Sequence, residues 1–175
     1  MRKLQLFFIT FVFCFSLAYA QGSNKKYNDR LTGRDSAFVK EAESGGMMEV
    51  TLGRIAEKNA SSKAVKKFGG RMVKDHSTAN DQLEKLAKKN HLPVINKMNS
   101  EDQSTVDNLK AVSGKKFDTR YMANMVGDHE ADIQSFENAS QNVLKKDLKD
   151  WINKTLPILK EHLKLAKKTY SEIKE

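Results

Sequence analysis

Apolar side chains recur every three or four residues from Asp35 onward, and no segment alternates between polar and apolar residues. The longer period places these side chains along one face of a helix, whereas a half-buried strand needs a period of two. Alanine, lysine, leucine and glutamate, which favour helices, dominate the region, and the 175 residues contain only two prolines. The pattern predicts an all-α protein without a sheet.

Capping and helix-breaking residues divide this region into four long helices and one short helix. Asp35 is the predicted N-cap of the first helix, and Ser61 or Ser62 that of the second. A capping-box pattern formed by Ser100 and Gln103 predicts the start of the short helix. The predicted helices cover about 35–59, 62–90, 101–112, 115–140 and 145–173.

Two features of the connections bear on the topology. Pro157 lies within the last helix and should kink it or divide it after Thr155, because proline cannot donate the helical hydrogen bond. The connection over 90–114 is long for neighbouring helices. It has the length to run from one end of a bundle to the other, but length alone leaves the relative direction of the helices open.

The first residues have the composition of a secretion signal. Arg2 and Lys3 precede an apolar run from Leu4 to Leu17, and Ala18-Tyr19-Ala20 fits the small-x-small cleavage pattern. The run is too short to span a membrane comfortably, and the single cysteine, Cys14, lacks the surroundings of a lipoprotein cleavage site. The predicted divisions are a cleavable signal peptide at 1–20, a flexible polar leader at 21–34 and one bundle domain at 35–175.

The formal net charge of the chain is +9, from 31 lysines and arginines against 22 acidic residues. The lysines are spread along every predicted helix, which is typical of solvated helix faces rather than of a nucleic-acid interface. No second apolar stretch approaches the length of a membrane span. The remaining electrostatic expectation is a weak association with anionic envelope surfaces.

One pattern occurs twice. The segment 68–76 (FGGRMVKDH) in the second predicted helix matches 121–129 (YMANMVGDH) in the third long helix. Both have an aromatic residue followed by M-V-x-D-H at the same spacing. The repetition indicates either an old duplication or two helices that meet the same demand in the core.

Each long helix carries one side chain of the metal-ligand type in or beside its apolar stripe. These residues are Glu49, His76, His129 and His162. Each lies near the middle of its helix, so the four would share one layer of the bundle whichever way the helices run. Three imidazoles and a carboxylate suit Zn²⁺, and also Cu²⁺ or Fe²⁺. An isolated buried carboxylate is costly, so Glu49 needs a partner.

Two interpretations of this layer are open. In one it binds a single transition-metal ion, and Asp75, Asp128 and Asp132 orient the histidine rings from outside. In the other it is a metal-free network in which Glu49 pairs with a protonated histidine and the same aspartates orient the rings.

Small and soft residues flank the predicted layer. Gly45, Gly46 and Gly53 share a helix face with the carboxylate, where they either clear room for an ion or water or allow close helix packing. Met72 and Met125 lie one turn before a core histidine. They either add sulfur ligands that favour copper or only fill the core.

No motif in the sequence specifies a reaction. The chain has no nucleophile–base arrangement and no phosphate-binding loop. None of the core histidines has a glutamate three residues before it, which is the pairing typical of di-iron bundles. A non-enzymatic role is therefore favoured, and a mononuclear metal oxidoreductase ranks lowest.

Several of these segments resemble the Domain of Unknown Function 4142 family of exported bacterial proteins. The resemblance covers about 34–168. Its motifs are DxxFV at 35–39, SGGMME at 44–49, the two MVxDH segments and TLPxLxxHL at 155–163. It implies a ferritin-like four-helix bundle and a periplasmic or outer-membrane-associated location, and it implies no activity.

The preferred hypothesis is a non-enzymatic exported envelope protein that binds one transition-metal ion in the bundle core. The alternative is a structural or stress-related periplasmic bundle whose buried histidines hold the core together without a metal.

Overall fold

The computed structural model describes the backbone of residues 14–174 and the side chains of residues 33–174. Within this part the chain forms five helices and no strand, so the prediction of an all-α protein is confirmed. The helices are α1 (Cys14–Asn59), α2 (Lys63–Lys89), α3 (Ser100–Lys110), α4 (Gly114–Asn142) and α5 (Lys146–Glu172). None of them is long and apolar enough, over the stretch described, to cross a membrane.

Two helix starts differ from the sequence-based expectation. α1 begins at Cys14, well before the predicted start at Asp35, while residues 1–13 of the predicted signal peptide lie outside the described part. The N-cap of α3 is Asn99, so the capping box predicted from Ser100 was wrong by one residue. The Asn99 side chain accepts a hydrogen bond from the Asp102 backbone N–H (2.8 Å) and donates one to the Asp102 carboxylate (2.9 Å). The first of these bonds satisfies a backbone N–H group in the first turn of the helix.

α5 continues through Pro157 and is not divided after Thr155, contrary to that alternative of the prediction. Proline at this position leaves the carbonyl of Asn153 without its helical partner. Both residues are exposed, so water can satisfy this carbonyl and the helix tolerates the interruption.

The N-terminus of α2 is capped by a side chain from another helix. Ser62 is the N-cap, as predicted, but its hydroxyl makes no capping bond. Instead the buried carboxylate of Asp118 in α4 accepts hydrogen bonds from the backbone N–H groups of Ser61 (3.0 Å) and Ser62 (2.9 Å). The cap therefore also joins α2 to α4.

The long helices form two antiparallel pairs. α1 packs most extensively against α2, and α4 against α5, each across a short connection. α1 also contacts α4, and α2 contacts α5, which closes the four helices around one core.

The connection between α2 and α4 runs from one end of the bundle to the other. At one end Asp35 of α1 accepts hydrogen bonds from the backbone N–H groups of Leu144 and Lys145 (both 3.2 Å), just after α4. At the other end the Asn59 side chain donates to the carbonyl of Val112 (3.1 Å), just before α4. α1 and α4 are therefore antiparallel, so α2 and α4 run parallel and the chain between them crosses the bundle.

Buried side chains of α1 hold this crossing segment. Glu43 accepts a hydrogen bond from the backbone N–H of Ile95 (2.8 Å), and the Ser44 hydroxyl accepts one from Asn99 (2.8 Å). α3 then packs on α1. These bonds satisfy backbone groups in a segment that otherwise lacks regular structure.

The core consists of two apolar clusters with a polar layer between them. The first lies towards the α1–α2 connection and includes Met48, Leu52, Val65, Phe68, Met72, Phe117, Tyr121, Met122, Met125 and Ala166. The second lies towards the α4–α5 connection and includes Phe38, Val39, Leu83, Phe136, Leu148, Trp151, Ile152 and Leu159. The residues between the clusters are Glu49, His76, His129 and His162.

The two repeated segments face each other across this core. The rings of Phe68 and Tyr121 meet edge to face with centroids 6.1 Å apart, and those of His76 and His129 do the same at 5.8 Å. Because α2 and α4 are parallel, both copies of the pattern present their residues in the same order along the bundle. This arrangement is the one expected of two helices that meet the same demand in the core.

Candidate metal centre

The four predicted ligand residues meet in the polar layer, one from each long helix. Glu49 lies on α1, His76 on α2, His129 on α4 and His162 on α5, and none is more than 5% exposed. The histidine ring centroids are 5.2, 5.4 and 5.8 Å apart. This convergence in one layer agrees with the prediction, in which each residue lies near the middle of its predicted helix.

The spacing of the three histidines is close to that of a metal site. An ion about 2.1 Å from three imidazole nitrogens in tetrahedral geometry would hold the ring centroids about 5 Å apart. One nitrogen from each ring lies within 4.8 Å of one from each of the others. The spacing of the rings is therefore close to that of a three-histidine ion site.

Two of the histidines each use one ring nitrogen for a hydrogen bond away from the centre. Nδ1 of His129 lies 2.9 Å from the carbonyl oxygen of Met125 and donates to it, since a carbonyl can only accept. Nε2 of His162 lies 2.9 Å from the carboxylate of Asp75 and donates to it in the same way. These bonds orient the rings and fix which nitrogen keeps its lone pair.

Glu49 contacts two of the rings, those of His76 and His129. Its Oε2 lies 2.6 Å from Nδ1 of His76, a short contact that shares one proton between them. Its Oε1 lies 3.2 Å from Nε2 of His129, but these two atoms are not aligned for a hydrogen bond. Because the His129 proton is on the opposite nitrogen, two lone pairs face each other here, which calls for a proton or a cation.

Four buried polar atoms of the layer have no hydrogen-bond partner in the part of the chain that the structure describes. They are Glu49 Oε1, His76 Nε2, His129 Nε2 and His162 Nδ1. Leaving a buried polar atom unsatisfied costs about 1–3 kcal/mol. Each ring thus has one bonded nitrogen and one nitrogen without a partner. In His129 and His162 the second nitrogen keeps its lone pair, because the first one donates, and the same holds for His76 when its Nδ1 carries the proton shared with Glu49.

Burial sets the charge of these groups. It lowers the pKa of His76 and of His162 to about 4. The pKa of His129 falls to about 3, first because the ring is buried and then because the other two histidines are close. Burial, followed by the charge of Asp102, raises the pKa of Glu49 well above its usual value. All four shifts favour the uncharged forms of these groups, which disfavours the predicted pairing of Glu49 with a protonated histidine.

The three aspartates that were predicted to orient the rings behave differently. Asp75 accepts a hydrogen bond from His162. Burial acts to raise the pKa of Asp75, but the bonds from His162 and Arg71 hold it below its usual value. Asp128 and Asp132 bond none of the three rings within the described chain. Burial and the charge of Glu49 raise the pKa of both, that of Asp132 to about 8. Asp128 groups instead with Glu49 and His129, whose ligand atoms lie within 4.8 Å of its own.

Arg71 is a functional neighbour that sequence reasoning missed. Its Nε donates to the carboxylate of Asp75 (3.1 Å), and its Nη1 donates to Glu161 on α5 (3.1 Å). A chain of contacts therefore leads from buried His162 to the protein surface. The signal that could have revealed it is the spacing of Arg71 and Asp75, four residues apart on one helix.

The two methionines before the core histidines lie in the first apolar cluster. Met72 and Met125 are both fully buried there. The contribution of Met125 to the layer is its backbone carbonyl, which accepts the hydrogen bond from His129. Core filling is therefore the interpretation that the packing favours over sulfur ligation.

The glycines on the Glu49 face have different roles. A Cβ added to Gly53 would lie 2.6 Å from the carbonyl oxygen of Gly69, so this pair allows the close approach of α1 and α2. At Gly46 a Cβ would collide with the side chain of Asn80. At Gly45 it would meet no atom within 4 Å among those described, because the residue borders a cavity. Both predicted roles, close packing and extra room, are thus present.

Comparisons with known proteins agree with a helical fold. A family model described as "Domain of unknown function (DUF4142)" matches residues 20–169. No curated protein matches the chain significantly. Among solved structures, a DUF305 protein from Streptomyces coelicolor, described as secreted, is similar with a TM-score of 0.69 over 80% of this chain and 93% of its own. The two sequences are 11% identical, so the likeness concerns the fold alone.

Proposed function

The chain belongs to the DUF4142 family, and from this premise we propose that it is an exported, non-enzymatic protein that binds one transition-metal ion between its long helices. The proposed ligands are Glu49, His76, His129 and His162, and the ions that suit this set are Zn²⁺, Cu²⁺ and Fe²⁺. Asp75 acts from outside the set by orienting His162.

The observation that carries the proposal is the pairing pattern of the three rings. Every ring is held through one nitrogen, while the other nitrogen has no partner among the described residues. Neither tautomer of a neutral histidine can satisfy all of these atoms with the protein groups at hand. One cation would bind the three lone pairs and also separate Glu49 Oε1 from the facing lone pair of His129.

The fold and the location extend the same proposal. Parallel α2 and α4 joined by a crossing connection are typical of ferritin-like bundles, and we assign the protein to that architecture. The N-terminal sequence has the features of a cleavable secretion signal. A periplasmic or outer-membrane-associated location follows, in keeping with the description of the similar DUF305 protein as secreted.

The test is metal content and metal-dependent unfolding of the purified protein beside a His76→Ala, His129→Ala double variant. Wild-type protein should take up one ion per chain and gain about 2.7 kcal/mol at a free-ion concentration 100 times the Kd. The double variant should lose both effects. His91→Asn is a matched control, because His91 is exposed, lies far from the layer and has a positive φ of 56° that asparagine tolerates.

The competing function is a structural or stress-related bundle. The favouring observation is that the Glu49–His76 contact already links α1 to α2 and the His162–Asp75 contact links α5 to α2 without an ion. If wild-type protein takes up no ion and the double variant only unfolds more easily, this function replaces metal binding.

A further inference from the structure

A cavity between α2 and α5 leads from the surface to two of the proposed ligands. It has a volume of about 80 Å³, and its walls include His76, His162, Thr78, Gln82 and Ile158. The two histidines are buried, whereas the other three residues are exposed. The cavity therefore extends from the protein surface to two of the three rings.

A second, smaller cavity continues inward from the first. Its volume is about 20 Å³, and it is lined by Glu49, Gly45 and Asp132 among others. The two cavities share His76, Ala79, Thr155 and Leu159 in their walls. A water needs about 10–15 Å³ of such space, so the inner cavity has room for one water and the outer cavity for several.

The ligand set has one position that can exchange on this side. Of the four proposed ligands, the three histidines form one compact group, whereas Glu49 groups with Asp128 and His129. The two oxygens of Glu49 lie beside His76 and His129. An ion held by all four residues thus has three fixed imidazole ligands and one ligand, Glu49, whose position an incoming anion can take, and the cavity adjoins two of the fixed ligands.

We propose that the bound ion keeps one exchangeable position and that a small inorganic anion of about three heavy atoms reaches it through the passage between α2 and α5. The inference rests on the proposed metal site. Three neutral ligands leave the ion with its positive charge, so it attracts an anion. The volume of the passage excludes organic substrates of ordinary size.

The test is azide titration of the Cu²⁺-loaded protein, followed by the absorption band that azide produces when it binds copper. The wild-type band should grow and saturate with azide. Ala79→Leu narrows the passage where the two cavities meet, and at equal copper content it should slow the binding of azide by about tenfold or more. Ala123→Leu, on the exposed face of α4, is the matched control and should behave as wild type.

Each outcome separates the two proposals. Copper uptake without an azide band means that the site is closed. This result overturns the proposal of an exchangeable position and leaves the proposal of metal binding intact. Failure to take up copper or any other ion overturns both. Equal azide binding rates in Ala79→Leu and wild type overturn the passage. If Ala79→Leu does not fold, Ile158→Trp at the exposed rim replaces it, and unchanged azide binding rates in that variant overturn the passage as well.

Discussion

The pKa values of the acids around the polar layer shift in the opposite direction to those of the histidines. Burial, reinforced by nearby carboxylates, raises the pKa of Glu49, Asp128 and Asp132. Burial lowers the pKa of the three rings. Both shifts favour the neutral form, so the layer carries little charge until an ion enters it.

The metal-free protein should lose stability as the pH rises from 6.5 to 8. The histidines have folded pKa values of about 3 to 4 against 6.5 in the unfolded chain, so their contribution is complete above pH 6.5 and is lost as the pH falls. Asp132 has a folded pKa of about 8 against 3.8, so its contribution is lost as the pH rises towards 8. Above pH 6.5 only the acids still change their contribution to the free energy of unfolding.

Asp132→Asn should therefore flatten this decline, because the amide does not titrate. The expected difference in the slope of unfolding free energy is up to about 1.4 kcal/mol per pH unit, measured by urea unfolding of chelator-treated protein. Asp81→Asn, exposed on α2, is the control. An Asp132→Asn slope equal to that of wild type would contradict the raised pKa of the Asp132 carboxyl.

The ligand positions could be predicted from the sequence, but the bonds between them could not. Placing each helix on a wheel identifies Glu49 and the three histidines, because a helical period fixes the face on which a residue lies. Asp75, however, bonds His162 on another helix rather than its sequence neighbour His76. Such a choice depends on rotamers and on the neighbouring helix, which the sequence pattern does not contain.

At the scale of helices, the α1–α2 pair depends on close backbone approach. Gly53 and Gly69 face each other, and a Cβ on Gly69 would lie 2.7 Å from the Cβ of Ala56. Such contacts let two helices pack with their backbones nearly touching.

Gly53→Ala should destabilise the protein by about 1–3 kcal/mol, because the new methyl group forces α1 and α2 apart. Gly127→Ala is the matched control: it also lies inside a helix, but a Cβ there meets no described atom within 4 Å. It should be neutral or stabilise by up to about 1 kcal/mol. Thermal unfolding of both variants measures the difference, and equal effects would refute the close packing.

Most helix boundaries followed from capping and breaking residues, and the exceptions have physical causes. Asn99 and Ser100 are both good N-cap residues, and the contact of Ser44 with the Asn99 backbone accompanies the choice of Asn99. Pro157 does not end α5, because its position on the exposed side makes the lost hydrogen bond tolerable. In both cases the neighbouring structure or water determines the helix boundary, and a local sequence pattern cannot predict it.

At the scale of the whole molecule, two helix pairs supply equal shares of the proposed site. Glu49 and His76 belong to the α1–α2 pair, and His129 and His162 to the α4–α5 pair. The direction of α4 relative to α2, which the sequence left open, follows from the contacts of Asp35 and Asn59 of α1 at opposite ends of the bundle. Those contacts link residues far apart in the chain and have no signature in the sequence.

Metal binding should consequently slow amide hydrogen exchange in both pairs. An ion held by ligands from four helices must be released before either pair can separate, so the protection extends to each helix. Exchange measured with and without the ion should show slower exchange around Glu49, His76, His129 and His162 alike. Protection confined to one pair would mean that the ligands come from that pair only.

The polar layer between two apolar clusters also fixes the register of the bundle. If one helix slid by a single turn, about 5.4 Å, its ligand residue would enter an apolar cluster and an apolar residue would enter the layer. Apolar packing alone tolerates such shifts more readily, because one aliphatic contact can replace another. The buried histidines and Glu49 thus allow only one axial position for each helix, whether or not an ion is bound.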